Sequence, residues 1–575
     1  MHTRPLSIAI TGAGGAGVIS CGELLLQGWA RQGGLGLLRK AYGPQIRGGE
    51  AAALLKLTGS ERYTAATQYD LIVALDWDNF SRFEDEIQLG PDSWVLCEPG
   101  ANIPVSVAAA NPRLLQLDMA ELTATAHPDG RVNMVVLGIL GTLLGVPTDS
   151  LCELAGKKLR GKPQSYRDAA LACIEHASKT ALECHLQVPA CDSTALCYLS
   201  GNQAVGLGAL EAGVRFVAAY PITPASDVLE WMAGGLERVG GKLVQAEDEL
   251  AAINMTIGAA FGGVPALTAT SGPGLALMTE SIGLAVASET PVTVINVMRG
   301  GPSTGIPTKS EQSDLNIALY GLHGDAPHLV FAALDIADCV FTTSWAVQLA
   351  QHLQTAAIVL SDQFIGQSTA VISEPRRCRM QLAATASADP EEIASDSYQR
   401  YLPTDSGVSS LAIPGETNRR YTADGLEHNA LGTPSASQSD HLQQLDKRQR
   451  KLSDFDFGGD WAEIAGSGEL ALICFGSCSA AINEAADLLR ERDIATRSIS
   501  LRLLAPLQVA DLSHALAGCE QVIVVEQNHG AQLLHYLQGH INFQQAVHSY
   551  AMPGPVPLDP ANIAQRALEL MNHDR

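Results

Sequence analysis

Short apolar runs alternate with stretches whose apolar residues recur at helical spacing, and the alternation persists along most of the chain. The first run, 7–11, leads into Gly12, Ala13, Gly14, Gly15, Ala16 and Gly17 and then a helical stretch through Gln32. Further strand-like runs at 51–57, 71–75 and 93–97 follow with polar or helical segments between them, as βαβ units do. After a crossing at 179–192, a second series places strands at 216–219, 243–246, 266–269, 292–297 and 357–360, with periodic helices between them. From 375 to 465 the composition turns to Ser, Thr, Asp, Pro and Arg without a sustained apolar period, apart from a polar helix at 438–453. That segment reads as an extended connector. The alternation returns with strands at 470–475, 498–503 and 522–525 and helices at 478–492, 508–517 and 529–539. The pattern predicts an α/β protein of three doubly wound parallel-sheet domains, at 1–185, 195–370 and 467–575, joined through the 375–465 connector.

Charge narrows the partners. With 37 Lys and Arg against 61 Asp and Glu, a net charge of -24 repels nucleic acid and anionic membrane surfaces, so neither is expected as a partner. The apolar stretch at 132–146 falls short of the ~20 residues that cross a bilayer and reads as a buried helix. The first strand begins too near Met1 for a signal peptide to precede it, and a cytoplasmic protein is expected. Twelve cysteines show neither the clustered spacing of iron-sulfur sites nor paired zinc knuckles, and read as reduced structural thiols.

The glycines at 12–17 lie between a strand and a helix, where backbone N–H groups and the helix dipole can receive a pyrophosphate. A dinucleotide site would place an acid about 20 residues on to hold the ribose. The 32–40 window has no Asp or Glu, which favours another pyrophosphate-bearing cofactor. Close helix-strand packing explains the same glycines equally well. A second glycine-rich loop, 41–50, carries a lone Arg47 suited to phosphate. Further on, Tyr220, Pro221, Ile222, Thr223 and Pro224 lie between a strand and a helix. Thr223 as N-cap with Pro224 at N1 would begin that helix, and the same geometry could receive a carboxylate. Glu247, Asp248 and Glu249 mark another helix start, and spacing does not single out one of the three.

These motifs together resemble the 2-oxoacid:ferredoxin oxidoreductases in the form whose gamma domain is fused ahead of the alpha subunit. The resemblance rests on the 12–17 and 42–50 loops, on 220–224 and 247–254, on Thr270, Ser271, Gly272, Pro273 and Gly274, on 299–305, on 307–315 and on 425–428. It implies a transketolase-like thiamine-diphosphate-binding fold, with 195–370 as the pyrimidine-binding domain, 467–575 as the C-terminal domain and 1–185 as a gamma domain for coenzyme A. It implies that Glu249 is catalytic and bonds the aminopyrimidine. Pro221, Ile222, Ser271 and Gly272 would contact thiamine diphosphate, and Gly12, Gly14, Gly15 and Arg47 coenzyme A. Tyr220, Thr223 and Arg299 would hold the 2-oxoacid.

No Gly-Asp-Gly motif for Mg and diphosphate occurs, so no metal is expected on this chain. The resemblance assigns the Mg-diphosphate site and the [4Fe-4S] cluster to a beta subunit, with ferredoxin as acceptor and two alpha and two beta chains in a heterotetramer. The 299–315 stretch looks most like the 2-oxoglutarate branch, with succinyl-coenzyme A and CO2 as products. Pyruvate or a branched-chain 2-oxoacid is the alternative substrate. A non-catalytic ligand-binding or assembly subunit is the alternative from another class, and a nicotinamide-dependent dehydrogenase would leave Glu249 unexplained.

Overall fold

A computed structural model describes residues 4–43, 49–61, 63–78, 80–184, 186–190, 192–194, 196–306, 309–378, 380 and 398–573. The chain divides into two compact units, 1–200 with 367–374, and 201–366 with 375–575.

In the first unit, β1 (Leu6–Ala13), β2 (Leu35–Tyr42), β3 (Glu50–Thr58), β4 (Gln68–Ala74), β5 (Gln88–Cys97), β6 (Arg113–Gln116) and β7 (Cys197–Ser200) share one sheet with the returning segment Thr369–Ile372. The sheet runs β6-β5-β4-β1-β3-β2, then the returning strand, then β7. The run β6-β5-β4-β1 is parallel throughout, but β1 meets β3 antiparallel, and β3, β2, the returning strand and β7 continue antiparallel. β3 is buried throughout, so its apolar run has the same look as a parallel strand's and does not betray its direction. The helix Val132–Leu144 is buried over most of its length, and Gly145 (φ 70) closes it in the left-handed conformation that glycine adopts freely.

The second unit carries two sheets. One contains β8 (Phe216–Ala219), β9 (Lys242–Gln245), β10 (Ala266–Thr270), β11 (Val292–Met298), β12 (Leu329–Ala332) and β13 (Ala356–Asp362); numbering the returning segment β14, the other contains β15 (Ala462–Gly466), β16 (Leu470–Phe475), β17 (Thr496–Leu501), β19 (Gln521–Glu526) and β20 (Ala546–Ala551). The short β18 (Leu503–Ala505) leaves the second of these and pairs antiparallel with β12, giving the orders β18-β12-β13-β11-β10-β8-β9 and β15-β17-β16-β19-β20. Apart from β18 and β15, every neighbour is parallel.

Much of 398–453 is irregular, yet it is fastened inward by buried Arg400, Lys447 and Lys451, and the helix within it is Gln438–Ser453. No helix among the described residues is long and apolar enough to cross a membrane.

Candidate functional site

In a parallel sheet the loops beyond the carboxyl ends of the strands gather on one side, which is where such folds bind ligands. β11, β10, β8 and β9 are successive neighbours, and the segments that follow them carry Arg299, Ser271 with Gly272, Tyr220 to Thr223, and Glu249.

The three acids after β9 have separate fates. Asp248 is the N-cap of the helix Glu249–Phe261, its carboxylate accepting the Ala251 N–H at 2.7 Å. Glu247 is exposed. Glu249, only 7% exposed, turns inward at the first helical position. Gly274 makes room for it: a Cβ there would fall 2.8 Å from Glu249 Oε1 and collide with Thr270 Oγ1. Ser271 is the N-cap of the helix Gly272–Ala287, but its buried hydroxyl makes no cap bond and has no other partner. A buried carboxylate and an unpartnered buried hydroxyl, both at the strand ends, fit the polar edge of a bound heterocycle.

The expectation that Thr223 caps a helix with Pro224 at N1 is not met. The helix is Ser226–Arg238 with Ala225 at its N-cap, because a turn closed by Ser226 N–H to the Ile222 carbonyl (3.0 Å) comes first. The turn is held by its carbonyls: Arg299 Nη1 donates to Thr223 O at 2.6 Å, and buried Asn202 donates to Pro224 O at 2.8 Å. Tyr220 and Pro221 are exposed, while Ile222, Thr223 and Arg299 are half-buried. Arg299 Nε is buried without a partner.

The 309–315 loop is tied to the C-terminal sheet by Gln312. Its N–H donates to Gln527 O at 2.7 Å and its amide donates to Phe475 O at 2.9 Å. Its Oε1 accepts from Gln527 N–H and Cys478 Sγ, both at 3.1 Å. Burial pushes the Glu311 carboxyl up from its ordinary value. The same effect, with Glu311 adding to it, pushes Asp314 up to about 6. Pro307 and Thr308 lie outside the described residues.

In the first unit, Gly14 and Gly15 line a cavity of about 520 Å³ together with Arg131, Lys158, Lys162 and Tyr166. Gly12 is not part of its wall: it is buried in β1, where a Cβ would meet Leu75 at 3.0 Å and Val18 at 3.1 Å, so it serves packing. Arg47 lies outside the described residues. The basic residues were missed in the sequence because they follow the glycines by more than a hundred positions and sit at helix ends; their only signal was the run of Lys and Arg at 157–162. Arg131 lies 4.8 Å over the Tyr166 ring, and Lys158 pairs with Glu23 at 2.6 Å. A glycine turn facing cations suits a polyphosphate.

The sheet with its strand-end constellation defines an α/β domain of the thiamine-diphosphate-binding class. A family model described as pyruvate flavodoxin/ferredoxin oxidoreductase, thiamine diphosphate-binding, matches residues 207–446. Models described as pyruvate ferredoxin/flavodoxin oxidoreductase and as pyruvate:ferredoxin oxidoreductase core domain II match 7–180 and 468–558. The chain is 28% identical to subunit alpha of 2-oxoacid:ferredoxin oxidoreductase 2 of Aeropyrum pernix, over 94% of each chain. It is 33% identical to the 2-oxoglutarate synthase subunit KorA of Methanothermobacter thermautotrophicus, over 58% of this chain and 88% of that one. A solved structure of 2-oxoglutarate:ferredoxin oxidoreductase from Magnetococcus marinus, with 2-oxoglutarate, coenzyme A and succinyl-CoA bound, superposes with a TM-score of 0.89 at 32% identity, covering 98% of this chain and 99% of that one. The chain belongs to the 2-oxoacid:ferredoxin oxidoreductase family, as an alpha subunit.

Proposed function

We propose that this subunit serves the coenzyme A-dependent oxidative decarboxylation of 2-oxoglutarate, giving succinyl-coenzyme A, CO2 and two reduced ferredoxins from two oxidised ones, in either direction. The observation that carries the reading is the inward, buried carboxylate of Glu249 at the ends of the strands that also present Thr223 and Arg299. Full-length likeness to the Magnetococcus marinus enzyme favours 2-oxoglutarate over pyruvate or a branched-chain acid.

When bound, thiamine diphosphate supplies the carbon nucleophile and the electron sink that loss of CO2 from a 2-oxoacid requires. Glu249 would hold a proton at the aminopyrimidine ring nitrogen, with Ser271, Gly272, Pro221 and Ile222 forming the walls on this chain. Arg299 would clamp the substrate carboxylate while keeping its bond to the Thr223 carbonyl, and Thr223 and Tyr220 would border the same acid. Gly14, Gly15 and the facing cations would hold the phosphates of coenzyme A. Mg, the diphosphate anchor and a [4Fe-4S] cluster belong in this reading to a beta subunit, in a cytoplasmic assembly of two alpha and two beta chains that passes electrons to ferredoxin.

Arg299→Lys tests the clamp. Lysine keeps the charge and loses the planar fork, so kcat/KM for the acid should fall by the equivalent of roughly 1–3 kcal/mol. Thiamine diphosphate affinity should hardly change. Thr223→Ala should act in the same direction and more weakly, with little change in melting temperature, because its side chain caps no helix. An unchanged kcat/KM in Arg299→Lys would remove the arginine from substrate binding.

A further inference from the structure

Asn202 has no exposed surface and stands at the second position of the helix Gly201–Glu211, 22 residues before the Pro224 carbonyl to which it donates. Two glycines let the backbone close around it. A Cβ on Gly201 would fall 2.3 Å from the Ile365 carbonyl oxygen, and one on Gly366 2.7 Å from Asn202 Oδ1, so a side chain at either position would push the asparagine out of place. Only the nitrogen end of the amide can face Pro224, because a carbonyl oxygen accepts and cannot donate; the bond measures 2.8 Å. The other end, Oδ1, is buried with no partner among the described residues. Burying half an amide unpaired costs free energy that an apolar side chain of the same shape would not, so the donor it gives Pro224 is what accounts for an asparagine here.

That donor reaches Arg299 through a single residue. The Thr223 carbonyl accepts from Arg299 Nη1 at 2.6 Å, and the Pro224 carbonyl accepts from Asn202. The two carbonyls belong to adjacent planar peptide groups, joined only through φ and ψ of Pro224. The proline ring locks φ and the bond from Asn202 holds ψ, so the Thr223 oxygen points one way. Ile222 is held separately, its carbonyl accepting from Ser226 N–H at 3.0 Å.

We propose that Asn202 is a positioning residue for binding of the 2-oxoacid: by fixing the Pro224 carbonyl it sets the Thr223 carbonyl on which Arg299 is braced, and with it the direction in which the guanidinium meets the substrate carboxylate. The proposal rests on Arg299 as the carboxylate clamp.

The test is made on the assembled enzyme, following kcat and KM for 2-oxoglutarate and, by calorimetry, the Kd of the unreactive analogue 2-hydroxyglutarate and of thiamine diphosphate. Asn202→Leu keeps the shape of the side chain and removes the donor; Asn202→Ala carries the same test should the leucine variant not fold. In either, KM and the analogue's Kd are expected to rise by about tenfold, with kcat changed by less than about threefold. The Kd of thiamine diphosphate should stay within about twofold of the wild type's, because Ile222 keeps its own bond to Ser226. Combined with Arg299→Lys, the loss should be smaller than the product of the two single losses, since both act on one guanidinium. An unchanged analogue Kd, an equal loss of thiamine diphosphate affinity, or losses that multiply in full overturns the proposal. If Arg299→Lys alone leaves the analogue's Kd unchanged, the clamp itself is wrong and the proposal falls with it. If Arg299→Lys weakens binding and the Asn202 variants do not, only the role of Asn202 is lost.

Discussion

Glu249→Ala is expected to fold normally and to turn over at least about 10²-fold more slowly, as for a lost proton relay. The size of the effect follows from placement. Of the three consecutive acids, Glu249 alone turns into the protein, and Gly274 leaves the space its carboxylate fills. Asp248 already serves the helix, so Asp248→Ala should lower stability by about 1 kcal/mol with a smaller kinetic effect. Glu247→Ala, at an exposed position, should be mild in both respects. Melting curves and kcat measured on the three variants together separate these roles. Equal losses of turnover in Glu247→Ala and Glu249→Ala would remove the assignment.

The largest expected effect on stability lies at Glu289, just beyond the helix that begins at Gly272. Its carboxylate is fully buried and accepts from Lys447 Nζ at 2.5 and 2.6 Å; Lys451 pairs with it as well, and Arg400 donates to its backbone carbonyl at 2.9 Å. Burial by itself would raise this carboxyl, but the charges of Lys447, Lys451 and Arg400 together hold it well below the usual carboxylate range. One anion serves several cations, and Lys451, buried beside Lys447, is pushed down to about 7. Glu289→Gln strands two buried lysines without a counter-charge and should destabilise by about 3–5 kcal/mol, measured by denaturant unfolding. Glu569→Gln, at an exposed pair with Arg566, should barely move the midpoint. A depressed carboxyl gives its full contribution above the ordinary carboxylate value and loses it only as the pH falls through the depressed one. The wild-type cluster should therefore hold at pH 5, and a Glu289→Gln midpoint equal to the wild type's would show that the cluster contributes nothing.

Strands written as apolar runs between turns, such as β10, β11, β13 and β16, were legible because burial on both faces leaves no polar position to confuse the pattern. β2 was not, since it carries Arg39 and Lys40, whose charges are absorbed by Glu86 and Glu23 only once the chain has folded. β20 is half-exposed and polar, and β18, three residues long, is too short to show a period. Within the site, residue types and order were readable in the 220–224, 247–249 and 299–315 motifs. Spacing did not choose among Glu247, Asp248 and Glu249, the family resemblance pointed to Glu249, and in the structure Glu249 alone of the three is buried. Asn202 and Gln312 act through backbone carbonyls of distant segments, a relation that no local pattern encodes.

The most direct measurement is acceptor reduction by this chain produced together with the subunit it assembles with, in the presence of thiamine diphosphate, Mg, coenzyme A and a one-electron acceptor. 2-Oxoglutarate, pyruvate and a branched-chain 2-oxoacid are compared. Coenzyme A-dependent reduction should occur with 2-oxoglutarate, at a kcat/KM at least about tenfold above that for pyruvate or the branched-chain acid. Equal or faster reduction with pyruvate, or none with any of the three acids, would contradict the proposed activity.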